Sequence, residues 1–112
     1  MQLQRVIAID FDGTLFENQW PEIGKPIWMV INQAKAEQAG GSKLILWTTR
    51  EGKYLRYALH ACKAVGLHFD AINDSLPEWK ATWGNNPRKI GATEYWDDLS
   101  WNPIKQKISG GI

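Results

Sequence analysis

Hydrophobic and polar positions follow two different periods along the chain. Short apolar runs rich in branched residues are typical of strands buried on both faces of a sheet, and the run Val6–Ile9 is the clearest of them. Longer stretches place apolar residues at helical spacing, and glycines end them. The pattern therefore predicts strands at 6–9, 43–47, 69–73 and 90–96, and helices from 26 to 39 and from about 51 to 65.

The order of these elements predicts a three-layer α/β fold of Rossmann-like type. Strands alternate with helices, so we expect a mostly parallel sheet with helices on both of its faces. Residues 16–25 are polar and interrupted, which indicates a loop that can reach over the end of the first strand. Residues 78–88 hold at most a turn or two of helix. The 112 residues suit one domain, with a core at about 5–99 and a tail at 100–112.

Polar side chains follow the ends of three predicted strands. Asp10 and Asp12 follow the first strand, with Phe11 between them on the opposite side, and Gly13 permits a sharp turn. Thr48 follows the second strand, and the pair 97–98, two aspartates, follows the fourth. The carboxyl ends of parallel strands meet at one edge of a sheet, where ligands of such folds bind. The sequence therefore predicts a carboxylate-rich site at this edge.

Two carboxylates as close as Asp10 and Asp12 need a positive partner. At a separation of about 4 Å and an effective dielectric of about 20, they repel by roughly 4 kcal/mol. Carboxylate oxygens without histidine or thiolate suit Mg²⁺ better than zinc. A carboxylate, a hydroxyl and a nearby lysine around Mg²⁺ favour phosphoryl chemistry, in which aspartate serves as a nucleophile and a second carboxyl group moves a proton.

These motifs resemble those of the haloacid dehalogenase (HAD) superfamily of phosphohydrolases. The run 10–14, Asp-Phe-Asp-Gly-Thr, matches the first motif of that family, DxDGT, in full. Thr48 after an apolar strand matches the second motif, and Arg50 completes a T-x-R form seen there. The acid pair Asp97 and Asp98 matches the fourth motif. The third motif is a lysine at loose spacing, for which Lys89 is our choice; Lys80 and Arg88 remain alternatives.

The resemblance implies a role for each matching residue. Asp10 would be the nucleophile and a metal ligand, and Asp12 would be the general acid and base with its backbone carbonyl on the metal. Thr48 would hydrogen-bond the phosphoryl group, and Lys89 would hold the nucleophile and the phosphate. Asp97 would ligate Mg²⁺.

Other residues of the same motifs have supporting roles. Asp98 would support Asp97 or ligate the metal through water. Gly13 and Thr14 would shape the turn and, with Thr49 and Arg50, contact the substrate.

The resemblance also implies a small member of the family without a cap domain, because no connection in the chain is long enough to hold one. Its expected activity is magnesium-dependent hydrolysis of a phosphate monoester through an aspartyl phosphate. An open site suits a large or polymeric phosphorylated substrate, or a homo-oligomer in which a neighbouring subunit covers the site.

The same residues allow three alternative functions. One is a phosphatase of nucleotides or nucleic-acid ends, in which tryptophan-rich loops stack on bases. Another is a non-catalytic domain that binds phosphate and magnesium. A response-regulator receiver fits less well, since its phosphorylated aspartate follows the third strand.

Net charge and cysteine content exclude or disfavour several classes of protein. The net charge of +1 gives no support for non-specific nucleic-acid binding, although it leaves a nucleic-acid substrate open. The single cysteine, Cys62, excludes an internal disulfide and a multi-cysteine zinc site. No apolar run approaches membrane-spanning length, and the polar start of the chain does not match a signal peptide. We therefore expect a cytoplasmic protein that does not contact the membrane.

Overall fold

The chain folds as a parallel sheet with one added hairpin. A computed structural model describes residues 5–78 and 91–97. In chain order, the elements of these residues are β1 (Val6–Ile9), β2 (Phe16–Gln19), β3 (Glu22–Pro26), α1 (Trp28–Ala39), β4 (Lys43–Leu46), α2 (Gly52–Ala64), β5 (Ala71–Ile72) and β6 (Glu94–Trp96). Neither helix of this part of the chain has the length and hydropathy that crossing a membrane requires.

The strand β1 lies inside the sheet, as its apolar sequence predicts. The strand order is β5-β4-β1-β6, and every pair in this sheet is parallel. All four residues of β1 are fully buried. An α/β fold with a mostly parallel sheet is thereby confirmed.

The two described helices pack on the same face of the sheet. Residues of α1 and α2 share one apolar cluster with Ile7 and Ile9 of β1 and with Leu44 and Leu46 of β4. This follows from topology, because the steps from β1 to β4 and from β4 to β5 run in the same direction and such crossovers are right-handed.

The opposite face of the sheet meets the return connection from β5 to β6. Leu76 of that connection is buried there against Val6, Ala8 and Ile45. The return passes β1 and reverses the direction of winding, which carries the chain to the other face. The sequence predicts helices on this face as well, and the turn or two of helix that it allows within residues 78–88 lies outside the described residues except for residue 78.

The prediction of a loop over residues 16–25 is wrong. This segment forms the antiparallel hairpin β2–β3. The sequence shows no alternating apolar pattern here because most of β2 is not buried. Phe16 is buried, whereas the other residues of β2 are exposed. A Cβ atom at Gly24 would lie 2.0 Å from the carbonyl oxygen of Glu17, so the hairpin requires glycine there. Pro26 ends β3 instead of starting a helix.

The strands β5 and β6 are shorter than predicted, and at the start of each a side chain takes one of the hydrogen bonds that a strand makes with its backbone. The amides of Asp70 and Thr93 still donate to the carbonyls of Leu44 and Val6 at 2.8 and 2.7 Å. The Asp70 carboxylate accepts a hydrogen bond from the Leu44 amide at 2.9 Å. The Thr93 hydroxyl accepts one from the Val6 amide at 2.9 Å and donates one to the Val6 carbonyl at 2.8 Å. Regular pairing begins only at Ala71 and at Glu94.

Candidate functional site

The carboxyl edge of the sheet brings polar residues of separate strands into one row. The register aligns Ile72, Leu46, Ile9 and Trp96 across the four strands. Asp10 and Asp97 each come one residue after this row, on neighbouring strands. The Asp10 amide donates a hydrogen bond to the Trp96 carbonyl at 2.9 Å, which fixes Asp10 beside the end of β6.

The acidic turn has the shape that its sequence predicts. Phe11 is fully buried and stacks on Phe16 with ring centroids 4.9 Å apart, while Asp10 and Asp12 are partly exposed. The carbonyl of Phe11 accepts hydrogen bonds from the amides of Leu15 and Phe16 at 3.0 and 3.2 Å. The turn is therefore closed around one core residue and presents its carboxylates at the edge of the sheet.

Gly13 and Thr14 shape this turn in different ways. Gly13 has a φ of 86°, in the left-handed region that glycine adopts without strain. Thr14 is buried, and within the described part of the chain its hydroxyl has no hydrogen-bond partner. Direct contact of Thr14 with a substrate stays a prediction, and its buried hydroxyl would need the turn to open.

The carboxylate of Asp10 is oriented by the chain itself. The amide of Phe11 donates a hydrogen bond to Oδ1 of Asp10 at 2.8 Å. A hydrogen bond from a backbone donor restricts the direction of a carboxylate. This geometry suits a nucleophile that must meet a phosphorus atom in line.

Thr48 lies two residues after the end of β4, in a compact polar turn. Its hydroxyl accepts a hydrogen bond from the Arg50 amide at 3.1 Å, and its own amide donates to Oδ1 of Asn73 at 2.7 Å. A hydroxyl that accepts here still has its proton to donate to a phosphoryl oxygen. Thr49, the next predicted contact, is exposed.

Asn73 was not among the predicted site residues. It follows β5 with a φ of 51°, a left-handed conformation that asparagine tolerates better than most residues. An asparagine as the last residue of a predicted strand was the available signal, and its partner, the Thr48 amide, was visible only in the fold.

Arg50 is the most fully buried charged residue of the described chain, with 1% of its surface exposed. Its Nε and Nη2 atoms each donate to a different oxygen of Asp12, both at 2.7 Å. This is the bidentate geometry in which guanidinium and carboxylate bind most strongly. The sequence placed Arg50 at the substrate, whereas the structure places it beneath the acidic turn.

Arg50 also joins the acidic turn to the hairpin. Its Nη1 donates to the Pro21 carbonyl at 3.1 Å and its Nη2 to the Glu22 carbonyl at 2.9 Å. The guanidinium carbon lies 5.1 Å from the ring centroid of Phe11 on one side and 4.9 Å from that of Trp20 on the other. One side chain thus fixes the end of the hairpin over the site.

The chemistry of the donor set fits Mg²⁺. The ion binds carboxylates, carbonyls and water, and Asp10 and Asp97 supply two carboxylates in adjacent positions of one row. Within residues 5–78 and 91–97, no group of three His, Cys, Asp or Glu side chains is arranged to hold a metal ion. The remaining predicted ligands are the backbone carbonyl of Asp12 and Asp98.

Some predicted residues lie outside the described residues. They are Lys89 and Asp98, with the alternatives Lys80 and Arg88. Their roles stay predictions.

Comparison with known proteins gives one informative relative. No protein-family model and no curated protein matches the chain. Among solved structures, a conserved protein from Bacteroides thetaiotaomicron is similar to it, with 35% sequence identity and a TM-score of 0.78. The match covers 98% of this chain and 93% of that protein. At this identity and coverage, the chain belongs to the same family as the conserved Bacteroides thetaiotaomicron protein.

Proposed function

We propose that the chain is a magnesium-dependent phosphatase of the haloacid dehalogenase type, which hydrolyses a phosphate monoester through an aspartyl phosphate on Asp10. The observation that carries the proposal is the row of strand ends, where the DxDGT turn stands beside Asp97 on the neighbouring strand. The proposal retains a cytoplasmic location, a phosphorylated substrate and a site without a cap domain.

Hydrolysis would use two carboxylates in different roles. An oxygen of Asp10 would attack phosphorus while the bond to the ester oxygen breaks, and Asp12 would give a proton to the departing alcohol. Water would then attack the phosphorus of the aspartyl phosphate and lose its proton to Asp12. The bond between phosphorus and Asp10 would break, which releases phosphate and restores both carboxyl groups.

The remaining residues would manage charge and position. The Thr48 hydroxyl would donate to a phosphoryl oxygen, and Lys89 would hold the phosphate against Asp10. Asp10, Asp97, Asp98 and the Asp12 carbonyl would hold Mg²⁺, which when bound neutralises charge on the phosphoryl group. Asp12 would have to release part of its contact with Arg50 whenever it carries the proton, since both of its oxygens accept from that guanidinium.

The test compares wild type with Asp10→Asn in the hydrolysis of an aryl phosphate, with Mg²⁺ and with a chelator. We expect activity in wild type with Mg²⁺ and a loss of at least about a thousandfold on substitution or chelation. Glu17→Gln is the matched control, because Glu17 is an exposed carboxylate of the hairpin. Acid-quenched wild type should carry phosphate on Asp10 by mass spectrometry.

Two results would contradict the proposal. Full activity of Asp10→Asn would exclude the covalent mechanism. Absence of hydrolysis, together with absence of phosphate-analogue binding in Mg²⁺, would exclude phosphoryl chemistry altogether. Binding without turnover would instead favour the non-catalytic phosphate-binding domain.

A further inference from the structure

An exposed group of aromatic side chains lies beside the acidic turn. Trp20, at the tip of the hairpin, contacts Tyr54 of α2 with ring centroids 4.9 Å apart. Tyr54 contacts Tyr57 at 6.3 Å, and Nζ of Lys53 lies 5.2 Å from the Tyr54 ring centroid. We call Trp20, Tyr54 and Tyr57 the aromatic platform.

The platform does not belong to the apolar core. Trp20 is 55% exposed and Tyr57 is 52% exposed, so much of their ring surface faces water. Apolar surface of this kind favours contact with another molecule, and flat rings favour stacking. One face of Trp20 covers the buried guanidinium of Arg50, so the exposed surface is available beyond that contact.

A single guanidinium separates the platform from the proposed reaction site. The Nη2 atom of Arg50 lies 2.7 Å from the Asp12 carboxylate, and the guanidinium carbon lies 4.9 Å from the Trp20 ring centroid. Because the Arg50 guanidinium contacts both Asp12 and Trp20, a substrate with its phosphate at the acidic turn has Trp20 within reach of its far end. In a nucleotide, that far end is the base.

We infer that the substrate is a nucleoside monophosphate whose base stacks on Trp20 of the aromatic platform. The inference rests on the proposed function and specifies its substrate class. Stacking on an aromatic ring tolerates any base, because every base has a π-face. A free nucleotide is favoured over a nucleic-acid end, since a net charge of +1 offers no general attraction for a polyanion.

The experiment compares adenosine 5′-monophosphate with ribose 5-phosphate, which has the same sugar and phosphate but no base. In wild type, we expect KM for the nucleotide to be about ten- to a hundredfold lower than for the sugar phosphate. Trp20→Ala should remove most of this difference with little change in kcat, and Trp20→Phe should retain part of it. Trp28→Ala is the matched control, because Trp28 is 52% exposed at the start of α1.

A binding measurement tests base stacking independently of phosphatase activity. Calorimetry on Asp10→Asn in Mg²⁺ measures the dissociation constants of both compounds without turnover. Tighter binding of the nucleotide that Trp20→Ala abolishes supports stacking even in a protein that hydrolyses nothing. Equal affinity and equal kcat/KM for both compounds overturn the inference, while aryl-phosphate hydrolysis would leave the phosphatase proposal standing.

Additional measurements distinguish nucleotide binding from other roles of the aromatic platform. A 5′-phosphorylated oligonucleotide that binds tighter than the mononucleotide would overturn the choice of a free nucleotide. A change in oligomeric state with Trp20→Ala or Tyr57→Ser, without a change in nucleotide affinity, would assign the platform to an interface between copies of the chain. A fall in Tm alone would mean that Trp20 only covers Arg50.

Discussion

Replacing Arg50 with methionine tests whether this side chain holds the hairpin over the site. Methionine keeps much of the aliphatic length but removes every donor. The substitution deletes two hydrogen bonds of 2.7 Å to Asp12 and those to the carbonyls of Pro21 and Glu22. The Asp12 carboxylate, whose side chain is 18% exposed, is left without its partner.

The expected cost follows from the burial of the pair. Removing one partner of a buried ion pair costs about 3–5 kcal/mol, and the partial exposure of Asp12 favours the lower end, about 3 kcal/mol. For a domain of this size, that loss lowers Tm by roughly 10 °C. A loss of about 3 kcal/mol is a large part of the total free energy of unfolding of such a domain, which is roughly 5–15 kcal/mol.

Arg5→Met is the matched control. Arg5 pairs with Glu37 and Glu94, but 46% of its side chain is exposed, so the same chemical change should cost less than about 1 kcal/mol. Urea unfolding followed by circular dichroism measures the free energy for both variants. Asp12→Asn combined with Arg50→Met should be less destabilised than the sum of the single variants, because the uncompensated charge is then absent.

Local proteolysis shows where the stability is lost. A protease that cleaves after glutamate has sites in the hairpin at Glu17 and Glu22, both exposed. Arg50→Met should be cut there faster than Arg5→Met under native conditions. A Tm within about 2 °C of wild type, with unchanged cleavage of the hairpin, would refute the role assigned to Arg50.

Three further predictions concern other parts of the chain. Gly24→Ala should destabilise the protein and open the hairpin to the same protease, because the new Cβ would meet the Glu17 carbonyl; normal stability would contradict that geometry. Lys89→Ala should lower kcat far more than Lys80→Ala, and the reverse would assign the third motif to Lys80. Burial raises the pKa of Cys62 from 9.0 to about 12, so the unfolded thiol ionises first and the free energy of unfolding should fall by up to about 1.4 kcal/mol per unit between pH 9 and 12. Cys62→Ala should show a shallower pH slope, and an identical slope would contradict the assigned burial.

The parts of the fold that were predictable are those encoded by local pattern. Both helices and the strands β1 and β4 were found within a few residues, because continuous burial leaves an uninterrupted apolar run or a helical period. The short strands β5 and β6 were predicted with wrong limits, and at the start of each the side chain of Asp70 or Thr93 accepts a hydrogen bond that a strand accepts with a backbone carbonyl. The pattern of hydrophobic residues does not show where a side chain makes such a hydrogen bond.

The hairpin could not be read from the sequence because its stability does not come from an apolar face. Its main apolar anchors are Phe16 and Ile23, and its end is fixed by the contact of Arg50 with the carbonyls of Pro21 and Glu22. A buried polar network of this kind leaves no period in the chain. The segment therefore looked like a loop although its backbone is paired.

The role of Arg50 was obscured for the same reason. A T-x-R string beside a predicted phosphate site suggests a cation that contacts the substrate, and nothing near it in sequence explains why it should be buried. Its carboxylate partner lies 38 residues earlier, and the carbonyls it binds belong to the unpredicted hairpin. Local patterns are enough to predict that strand ends lie side by side, because the carboxyl ends of parallel strands share one edge of the sheet. The contacts of a side chain that links three separate segments can be seen only when all three segments are in their folded positions. The proposed nucleophile could therefore be predicted from the sequence, whereas Arg50 was predicted as a site residue but its connection of the acidic turn to the aromatic platform was not.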